Sequence, residues 1–369
     1  MTLSKCHFLL YVSFLSLYSI SFFFVSFPSL DSISFSLFPF LPYIPFPFLY
    51  FISFSIFHFP FFVSFLFYHF LFSLAGDIML SLILLMIAAA VLLTACSPAD
   101  PSADIYVYDY GQNENYYGDC VLLKSGHKAI LMDTCSEGAD VEGFLKEKEV
   151  DEFVLYISHY HNDHTGNAAK LIRDMHVTKV YLPDRSYMRA GCPGFDEHLA
   201  DYYAILSAAA EKGCKIFYLN SGDSFEIGGA RFDVLLLNKD AEHGDFADYD
   251  ACSSYINNCS LVTMVTCGGV KFLTAGDIEK ETEACLLASP YDLDADLFKM
   301  NHHGGITSNT DDFLTAVSPD YAFATFPGKT NKKKWVAPIR KLRRTIPVYN
   351  VFECGTVHFH LENGEIRVN

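Results

Sequence analysis

The sequence predicts a mixed α/β domain in which two β-sheets pack together and helices cover their outer faces. Three observations support this fold class. Apolar runs of strand length alternate with helical patterns over residues 104–369, two strand pairs are separated by Gly-Gly dipeptides, and several strand ends carry histidines or acids. A long apolar segment precedes this region.

The first half of the region begins with three short strands and then alternates helix and strand. The apolar run 153–158 leads directly into a histidine-rich loop. The span 197–212 has the pattern of an amphipathic helix, and Gly213 is positioned to end it. The predicted elements are strands at 104–110, 119–125 and 128–133, a helix at 139–148, strands at 153–158 and 178–182 on either side of a helix at 167–175, and a helix at 197–212.

The second half adds two hairpins. Residues 224–237 turn at Gly228-Gly229 and residues 260–274 turn at Gly268-Gly269, because glycine accepts the positive φ angles of a tight turn. From 296 to 368 the pattern alternates strand, helix and strand. These elements supply strands for two sheets and leave the helices for the outer layers.

The most informative segment is the run His159-Tyr160-His161-Asn162-Asp163-His164, which has the pattern HxHxDH. Residues two apart on an extended segment project to the same side, so His159 and His161 can hold one metal ion together. The turn that follows can direct Asp163 and His164 towards a second ion. Neutral imidazole and carboxylate are ligands that suit zinc, manganese or iron. The alternative is a polar loop with scattered surface histidines.

Two later strand ends support the metal interpretation. Asp277 follows an apolar strand and Gly276, and the pair His302-His303 follows another and precedes Gly304. Taken alone, an acid at a strand end is usually a cap or turn residue, and a histidine pair usually lies on the surface. Their joint occurrence after HxHxDH favours a metal site.

Together these segments resemble the metallo-β-lactamase-fold hydrolases, a superfamily of four-layer αββα sandwiches with a dinuclear metal site. Within that superfamily the chain resembles the hydrolase domain of ComEC-like competence proteins, and secreted phosphorylcholine esterases are also similar. The resemblance covers roughly residues 104–369. Besides the segments above, it runs through residues 105–111, 119–123, 130–134 and 258–262.

The resemblance implies two divalent metal ions, with Zn²⁺ expected and Mn²⁺ or Fe²⁺ as alternatives. It assigns His159 and His161 to the first ion and makes Asp277 the bridge between the two ions. The ligands it implies for the second ion are Asp163, His164 and one of His302 or His303. Water shared by the two ions would be the nucleophile.

Supporting roles are also implied. Asp133 stands where the family has an acid that orients a ligand imidazole. The histidine of the pair that does not bind metal could hydrogen-bond a substrate oxygen or protonate the leaving group. The residues expected to act in catalysis are therefore Asp163, His302 and His303.

One departure from the wider superfamily lies before the Gly-Asp strand. Many members have a further histidine ligand there, whereas this chain has Asn258, as ComEC-like proteins do near this position. We expect Asn258 to lie beside the ligands rather than to bind metal. His243 could replace the missing ligand, or it could be an exposed loop residue.

A basic stretch near the C-terminus is the candidate for binding substrate phosphates. It contains eight Lys or Arg residues and no acid between 329 and 344, and its candidate contacts are Lys332, Lys333, Lys334 and Arg340. The alternative is a solvated helix face. His358 and His360, which alternate on a C-terminal strand, are interpreted as structural.

Charge divides the chain sharply. Residues 1–96 contain one basic residue, Lys5, and two acids, Asp31 and Asp77, which leaves 25 of the 26 basic and 41 of the 43 acidic residues in the remainder. The net charge of that remainder is −16. An acidic domain does not favour tight binding of long nucleic acids, so nucleic acid is one of several phosphodiester substrates considered.

The N-terminal part divides into three segments. Residues 1–78 are rich in Phe, Ser and Leu and are interrupted by six prolines, and we hypothesise that native translation begins near Met79. Residues 79–96 resemble a lipoprotein signal peptide with Cys96 as the lipidated residue, although no Lys or Arg immediately precedes the apolar run. An uncleaved anchor helix is the alternative. Residues 97–103 are a short linker, and 104–369 form the hydrolase-like domain.

The favoured function is extracytoplasmic, metal-dependent hydrolysis of a phosphodiester, either a small molecule or a polymer, at the membrane surface. The substrate would be a nucleic acid, a nucleotide or a cell-envelope phosphodiester. The same metals could instead hydrolyse a carboxylic ester, lactone or amide. A third interpretation is a non-catalytic surface lipoprotein that retains the fold for binding, and the complete ligand set argues against it. No oligomeric state is predicted.

Overall fold

A computed structural model describes residues 12–16, 19–29, 32–38, 102–110, 117–185, 196, 199–238, 248–330 and 334–369. The chain separates into two compact units, Met1–Ser97 and Pro98–Asn369. The first unit contains an antiparallel sheet of strands β1 (Val12–Ser16), β2 (Ser19–Ser29) and β3 (Ser32–Phe38). Cys96 and the proposed signal peptide lie outside the described residues. Among the described residues, no helix has both the length and the apolar character needed to cross a membrane.

The second unit contains fifteen described strands in two sheets. The strands are β4 (Ala103–Val107), β5 (Val121–Ser125), β6 (Lys128–Met132), β7 (Glu152–Tyr156), β8 (His176–Pro183), β9 (Lys215–Leu219), β10 (Ser224–Ile227), β11 (Ala230–Leu237), β12 (Leu261–Cys267), β13 (Val270–Thr274), β14 (Leu297–Lys299), β15 (Tyr321–Ala324), β16 (Val348–Asn350), β17 (Val357–Glu362) and β18 (Glu365–Val368).

Nine described α-helices connect these strands. They are α1 (Val141–Glu147), α2 (Asn162–Thr165), α3 (Ala168–Asp174), α4 (Ala200–Lys212), α5 (Tyr249–Asn258), α6 (Lys280–Leu287), α7 (Asp311–Val317), α8 (Ala337–Leu342) and α9 (Val351–Cys354).

Both sheets combine antiparallel and parallel strands. The eight-stranded sheet has the order β18-β17-β4-β5-β6-β7-β8-β9 and is parallel from β6 to β9. The seven-stranded sheet has the order β10-β11-β12-β13-β14-β15-β16 and is parallel from β13 to β16. Adjacent parallel strands end at the same sheet edge, so the loops after β6 and β7 are neighbours, and so are those after β13 and β14.

The two sheets face each other across the main apolar core. Tyr156 on β7 hydrogen-bonds Thr263 on β12 over 2.8 Å, and the core around them includes Leu155, Phe232 and Phe272 from the two sheets. Helices α1, α3 and α4 contribute apolar residues to this core from the other side of the eight-stranded sheet. A second core lies between the seven-stranded sheet and helices α6, α7 and α8. The predicted four-layer sandwich is therefore confirmed.

Several elements match their predicted positions. Both Gly-Gly hairpins form, as β10–β11 and β12–β13. Helix α4 ends at Gly213 in the left-handed conformation, with φ of 68°. The sequence patterns missed α5, α6 and β9. Helix α5 has a short apolar stripe of Cys252, Tyr255 and Ile256, and its buried face also includes Asn257 and Asn258. A further signal is the cap at Asp248, which accepts a hydrogen bond from the Ala251 amide.

The cysteines follow a mixed pattern. Seven described cysteines are free, and Cys120, Cys135, Cys259 and Cys267 among them are buried, as expected for small apolar side chains. Cys252 on α5, in contrast, is disulfide-bonded.

Candidate metal centre

The predicted metal ligands lie in loops that follow parallel strands of both sheets. HxHxDH follows β7, and Asp133 follows the neighbouring strand β6. Asp277 follows β13, and the histidine pair follows the neighbouring strand β14. Packing the two sheets face to face brings these four loops together, which residue spacing along the chain could not show.

The HxHxDH loop folds into an extended residue followed by a single helical turn. His161 has an extended backbone (φ −74°, ψ 148°) and begins α2, which contains Asp163 and His164. Gly118 lies against this turn with φ of 111°, and a Cβ at this position would stand 1.7 Å from the Asp163 carbonyl oxygen. The loop before β5 therefore needs glycine at 118 to approach the motif this closely.

Five side chains form the centre of the site, and we call them the ligand cluster: Asp119, Asp163, His164, Asp277 and His303. His303 Nε2 lies 3.0 Å from Asp163 Oδ2 and 3.0 Å from Asp277 Oδ2. His164 Nε2 lies 3.2 Å from the same Asp277 oxygen. Asp119, His164, Asp277 and His303 are all buried, and one donor atom from each lies within 4.8 Å of the others.

The donor set of the ligand cluster fits a divalent cation. His164 Nε2 and Asp277 Oδ1 are buried, and neither makes a hydrogen bond to any described residue. Their nearest charged neighbours are in ion-pair contact only: Asp277 Oδ2 lies 3.2 Å from His164 Nε2, and the Lys299 ammonium lies 3.7 Å from Asp277 Oδ1. Buried polar atoms without a hydrogen bond are costly in a folded protein. Imidazole nitrogen and carboxylate oxygen are suitable ligands for zinc, manganese or iron, and an ion between them would satisfy both atoms.

His159 and His161 lie side by side next to the ligand cluster. The distance from His159 Nε2 to His161 Nδ1 is 3.1 Å, and the rings of His159 and His164 are 4.1 Å apart at their centroids. Ser253 on α5 is 3.4 Å from the other nitrogen of His161. Burial, followed by the charges of His164 and His161, holds the pKa of His159 well below its usual value. His159 is therefore neutral, which is the form that binds metal.

Asp133 supports the motif from behind. His164 Nδ1 donates a 2.8 Å hydrogen bond to Asp133 Oδ2, and the Ser158 amide and hydroxyl each donate to the same carboxylate over 2.7 Å. Because Nδ1 of His164 is held by Asp133, its Nε2 points towards Asp277 and the other members of the ligand cluster. An orienting role of Asp133 towards a metal-bound imidazole stays a prediction.

The two histidines of the pair occupy different environments. His303 is buried in the ligand cluster, and its Nδ1 lies 2.9 Å from the Thr325 hydroxyl. The side chain of His302 is 20% exposed, with Nε2 3.9 Å from Asp277 Oδ2 and Nδ1 2.8 Å from the Thr307 hydroxyl. Trp335 packs edge-on against His302, with ring centroids 5.7 Å apart. His302 therefore lies closer to solvent than His303.

Sequence reasoning missed the ion pair beneath the ligand cluster. Lys299 is buried at the end of β14, and its ammonium lies 2.6 Å from Asp119 Oδ2 and 3.7 Å from Asp277 Oδ1. It also donates to the Gly276 carbonyl over 2.9 Å. A lysine inside an otherwise apolar strand is the signal that could have revealed it, since lysine is rarely buried without a partner.

Asn258 lies behind the site and does not contact the ligand cluster in the contacts described. Its side-chain oxygen accepts from the Glu279 amide over 3.0 Å, and its side-chain nitrogen donates to the Ser254 carbonyl over 3.0 Å. Asn258 thereby fastens α5 to the segment after Asp277. A supporting role for Asn258 stays a prediction.

Three of the remaining predicted residues are outside the part of the chain that the structure describes: His243, Lys332 and Lys333. Lys334 is exposed and adjoins Trp335, while Arg340 on α8 is half-buried. Contact of Lys334 or Arg340 with a substrate stays a prediction.

The charges of the ligand cluster favour a cation. Burial alone lowers the pKa values of His164 and His303, but the surrounding carboxylates, Asp277 first among them, hold both pKa values well above the usual one. Burial alone raises the pKa of Asp277, but His303 and His164 hold it well below its usual value. The carboxylates therefore stay ionised and attract either protons on these imidazoles or a metal ion in their place.

Comparison with solved structures gives the following similarities. The metallo-β-lactamase fold protein YhfI from Bacillus subtilis is 14% identical, with a TM-score of 0.44 over 73% of this chain and 100% of that one. A diphosphatase from the PhnP family is 12% identical, with a TM-score of 0.39 over 70% of this chain and 98% of that one. No protein-family model matches the chain.

Sequence comparison finds competence proteins. The chain is 28% identical over 226 residues to ComE operon protein 3 of Bacillus subtilis, covering 60% of this chain and 26% of the relative. It is 26% identical over 230 residues to competence protein ComA of Neisseria gonorrhoeae, covering 60% of this chain and 27% of that relative. The chain thus spans about a quarter of the length of these relatives.

The predicted resemblance is confirmed at the level of fold and sequence. The two mixed sheets with outer helices form the four-layer sandwich that the resemblance implies, and the chain is similar in sequence to competence proteins over about a quarter of their length. The buried carboxylates and imidazoles of the ligand cluster lie at the sheet edge where the HxHxDH loop emerges, as a divalent-metal site requires.

Proposed function

We propose that this chain is a metal-dependent phosphodiester hydrolase that acts at the ligand cluster. The observation that carries the proposal is the convergence of two buried imidazoles, His164 and His303, on one oxygen of Asp277, with His164 Nε2 and Asp277 Oδ1 both lacking a hydrogen bond among the described residues. Both atoms have ion-pair neighbours, Asp277 Oδ2 at 3.2 Å and the Lys299 ammonium at 3.7 Å, but neither contact has hydrogen-bond geometry. Buried imidazole nitrogen and carboxylate oxygen atoms that converge without a hydrogen bond support a bound ion.

The ligand roles follow the positions of the side chains. His159 and His161 would hold one divalent ion, and Asp163, His164 and His303 would hold a second, with Asp277 between them. The 3.1 Å contact of His159 with His161 and the 3.0 Å contact of His303 with Asp163 support this division. Such ions, when bound, would generate a nucleophilic water at neutral pH and polarise a phosphoryl oxygen.

His302 is the protein group proposed to contact the substrate. Its Nδ1 is engaged with Thr307, so its Nε2 remains for a substrate or leaving-group oxygen. Burial, as the largest cause, lowers the pKa of His302, which keeps the imidazole neutral and able either to donate or to accept a hydrogen bond. This environment supports His303, rather than His302, as the metal ligand of the pair.

The surroundings of His302 support an anionic substrate. Trp335 contacts His302 directly and follows Lys334, so the basic stretch 329–344 passes the site. Within that stretch Lys341 pairs with Asp311 and Arg343 with Glu353, whereas Lys334 is exposed and adjoins Trp335, which makes it a candidate contact for phosphate. A phosphodiester suits both this cation and the metal site.

We also propose an extracytoplasmic location at the membrane surface. The disulfide at Cys252 supports it, because disulfides persist mainly in oxidising compartments. The lipoprotein-like segment ending at Cys96 would supply the anchor. The similarity to competence proteins makes nucleic acid one of the phosphodiesters to test.

The experiment measures metal content and bis-p-nitrophenyl phosphate hydrolysis together on protein purified without chelator. We expect bound metal and turnover, with turnover abolished in His161→Ala. His176→Ala is the matched control, because His176 is an exposed histidine whose ion-pair contact among the described residues is with Glu152 over 3.3 Å. Metal without turnover would move the proposal to ester, lactone or amide substrates, and absence of metal would overturn it.

A further inference from the structure

A second group of metal-ligating side chains lies on the eight-stranded sheet, where β17 pairs with β4. His358 Nε2 is 2.7 Å from Asp104 Oδ1, and His360 Nδ1 is 2.8 Å from the same oxygen. One ligand atom from each residue lies within 4.8 Å of the other two. None of the three belongs to the ligand cluster or to the His159–His161 pair.

Strand geometry places the three residues on one face. Along β4 and β17 every second residue is buried, so Asp104, His358 and His360 alternate with core residues and point away from the core. His360 is directly opposite Asp104 in the antiparallel register. Two histidines separated by one residue on a strand, with an acid on the neighbouring strand, form a three-sided arrangement of donors.

Neighbouring side chains hold the His358 ring in this arrangement. Tyr106 stacks on His358 with centroids 4.3 Å apart and an interplanar angle of 12°. The Asn369 side-chain nitrogen is 3.3 Å from His358 Nδ1, on the side of the ring away from Asp104. The outer nitrogen is thus engaged, and Nε2 is directed inward at the shared carboxylate oxygen. A supporting contact of this kind also fixes the ligating nitrogen of a metal-bound histidine.

The nearby basic side chains are committed elsewhere. Lys124, opposite Asp104 on β5, donates to the Lys148 carbonyl over 2.7 Å. Arg367, opposite His360 on β18, pairs with Glu362 and Glu365. Among the described residues, the ion-pair contacts of Asp104 are therefore those with the two imidazoles.

We propose that Asp104, His358 and His360 form a second metal site, separate from the catalytic one, that takes Zn²⁺ or another borderline divalent ion such as Cu²⁺ or Ni²⁺. Two imidazoles and one carboxylate select these ions over Mg²⁺ or Ca²⁺, which prefer oxygen ligands. Water would complete the coordination. The side chains are half-buried rather than sealed, which leaves room for the exchange of ions.

The site would stabilise the pairing of the domain's first strand with a C-terminal one. β17 and β4 are far apart in sequence, and an ion held by both would oppose their separation. Anything that binds the folded chain and not the unfolded one adds to stability in this way. The function of the site would be structural, and its occupancy would not be needed for hydrolysis.

The test measures the zinc content of the purified full-length protein in two contexts: a variant background with catalytic-site histidines removed, and the otherwise unaltered chain. In the His161→Ala, His164→Ala, His303→Ala background, which removes one imidazole proposed for the first catalytic ion and both proposed for the second, we expect one Zn²⁺ per chain to remain. Adding His360→Gln should remove it and weaken zinc binding at least tenfold in a chelator competition. His176→Gln in the same background is the control and should leave the zinc in place.

Asp104→Asn in the same background provides a second variant that preserves side-chain size. It too should lose zinc, and its far-ultraviolet circular dichroism should match that of its parent, which separates loss of a ligand from loss of the fold. In an otherwise unaltered chain, His360→Gln should keep the phosphodiesterase rate. Unchanged zinc content in both the His360→Gln and Asp104→Asn variants would overturn the proposal and identify the cluster as a hydrogen-bonded His–Asp–His group.

Discussion

Replacing Lys299 with methionine removes a buried ammonium while keeping most of the side-chain volume. Lys299 is 2% exposed, and its ammonium lies 2.6 Å from Asp119 Oδ2. The substitution removes the nearest cation from the buried Asp119 carboxylate, leaving it only the imidazoles of His303 at 3.2 Å and His164 at 3.6 Å among its described ion-pair partners. It also removes a donor to the Gly276 carbonyl. We therefore expect a large loss of stability in the metal-free protein.

The magnitude follows from the geometry. At an effective dielectric constant near 20, two unit charges 2.6 Å apart attract each other by about 6 kcal/mol. This attraction is the upper limit for the loss of unfolding free energy in Lys299→Met. Breaking one side of a buried ion pair costs about 3–5 kcal/mol in practice, because the remaining charge stays uncompensated. The burial of both groups places Lys299→Met within that range.

The assay is urea denaturation in EDTA, followed by both circular dichroism and Trp335 fluorescence. Chelation matters because a bound metal would add its own stabilisation to the folded state. The matched control is Lys271→Met, whose ammonium pairs with Asp292 over 2.9 Å with the lysine side chain 41% exposed, and which should change the unfolding free energy little.

A double variant completes the test. Lys299→Met combined with Asp119→Leu removes both charges and should recover much of the lost stability, because no uncompensated ion remains. A loss below about 1 kcal/mol in Lys299→Met, the size typical of an exposed pair, would refute the reasoning that this buried pair supports the site.

Two further predictions concern the same site. Gly118→Ala should lower the free energy of unfolding by on the order of 3 kcal/mol and weaken metal binding, because the new Cβ would overlap the Asp163 carbonyl. The control is Gly222→Ala, since Gly222 has φ of 87° and nothing lies within 4 Å of its Cβ position. It should lower the free energy of unfolding by about 1 kcal/mol in the same denaturation assay. In EDTA, the raised pKa values of His164 and His303 contribute stability that is fully present below the usual histidine pKa of about 6.5 and is lost as the pH rises towards the folded values. The lowered pKa values of His159 and His302 act in the opposite direction only around the usual histidine pKa, so the test interval lies above it. Urea titrations between about pH 8 and 9 should therefore show falling stability, and a rise over that interval would contradict the assigned charges.

Much of the fold could be predicted from local sequence. The Gly-Gly hairpins and the end of α4 at Gly213 depend on nearby residues, so their signals are complete within short windows. Helix α5 was missed although Cys252, Tyr255 and Ile256 are buried at helical spacing, and the burial of Asn257 and Asn258 beside them is not indicated by any apolar pattern. Those amides are buried for their tertiary hydrogen bonds and not for helix amphipathicity.

The sequence by itself determined which residues could bind metal around HxHxDH, because a ligand motif is short and its spacing is local. Only the tertiary structure distinguished the buried His303 from the more exposed His302, since burial depends on what the opposite sheet contributes. Packing likewise decided that Lys299 meets Asp119 and that His358 and His360 meet Asp104. These partners are far apart along the chain, and only strand order and register bring their charges within a few ångströms of one another.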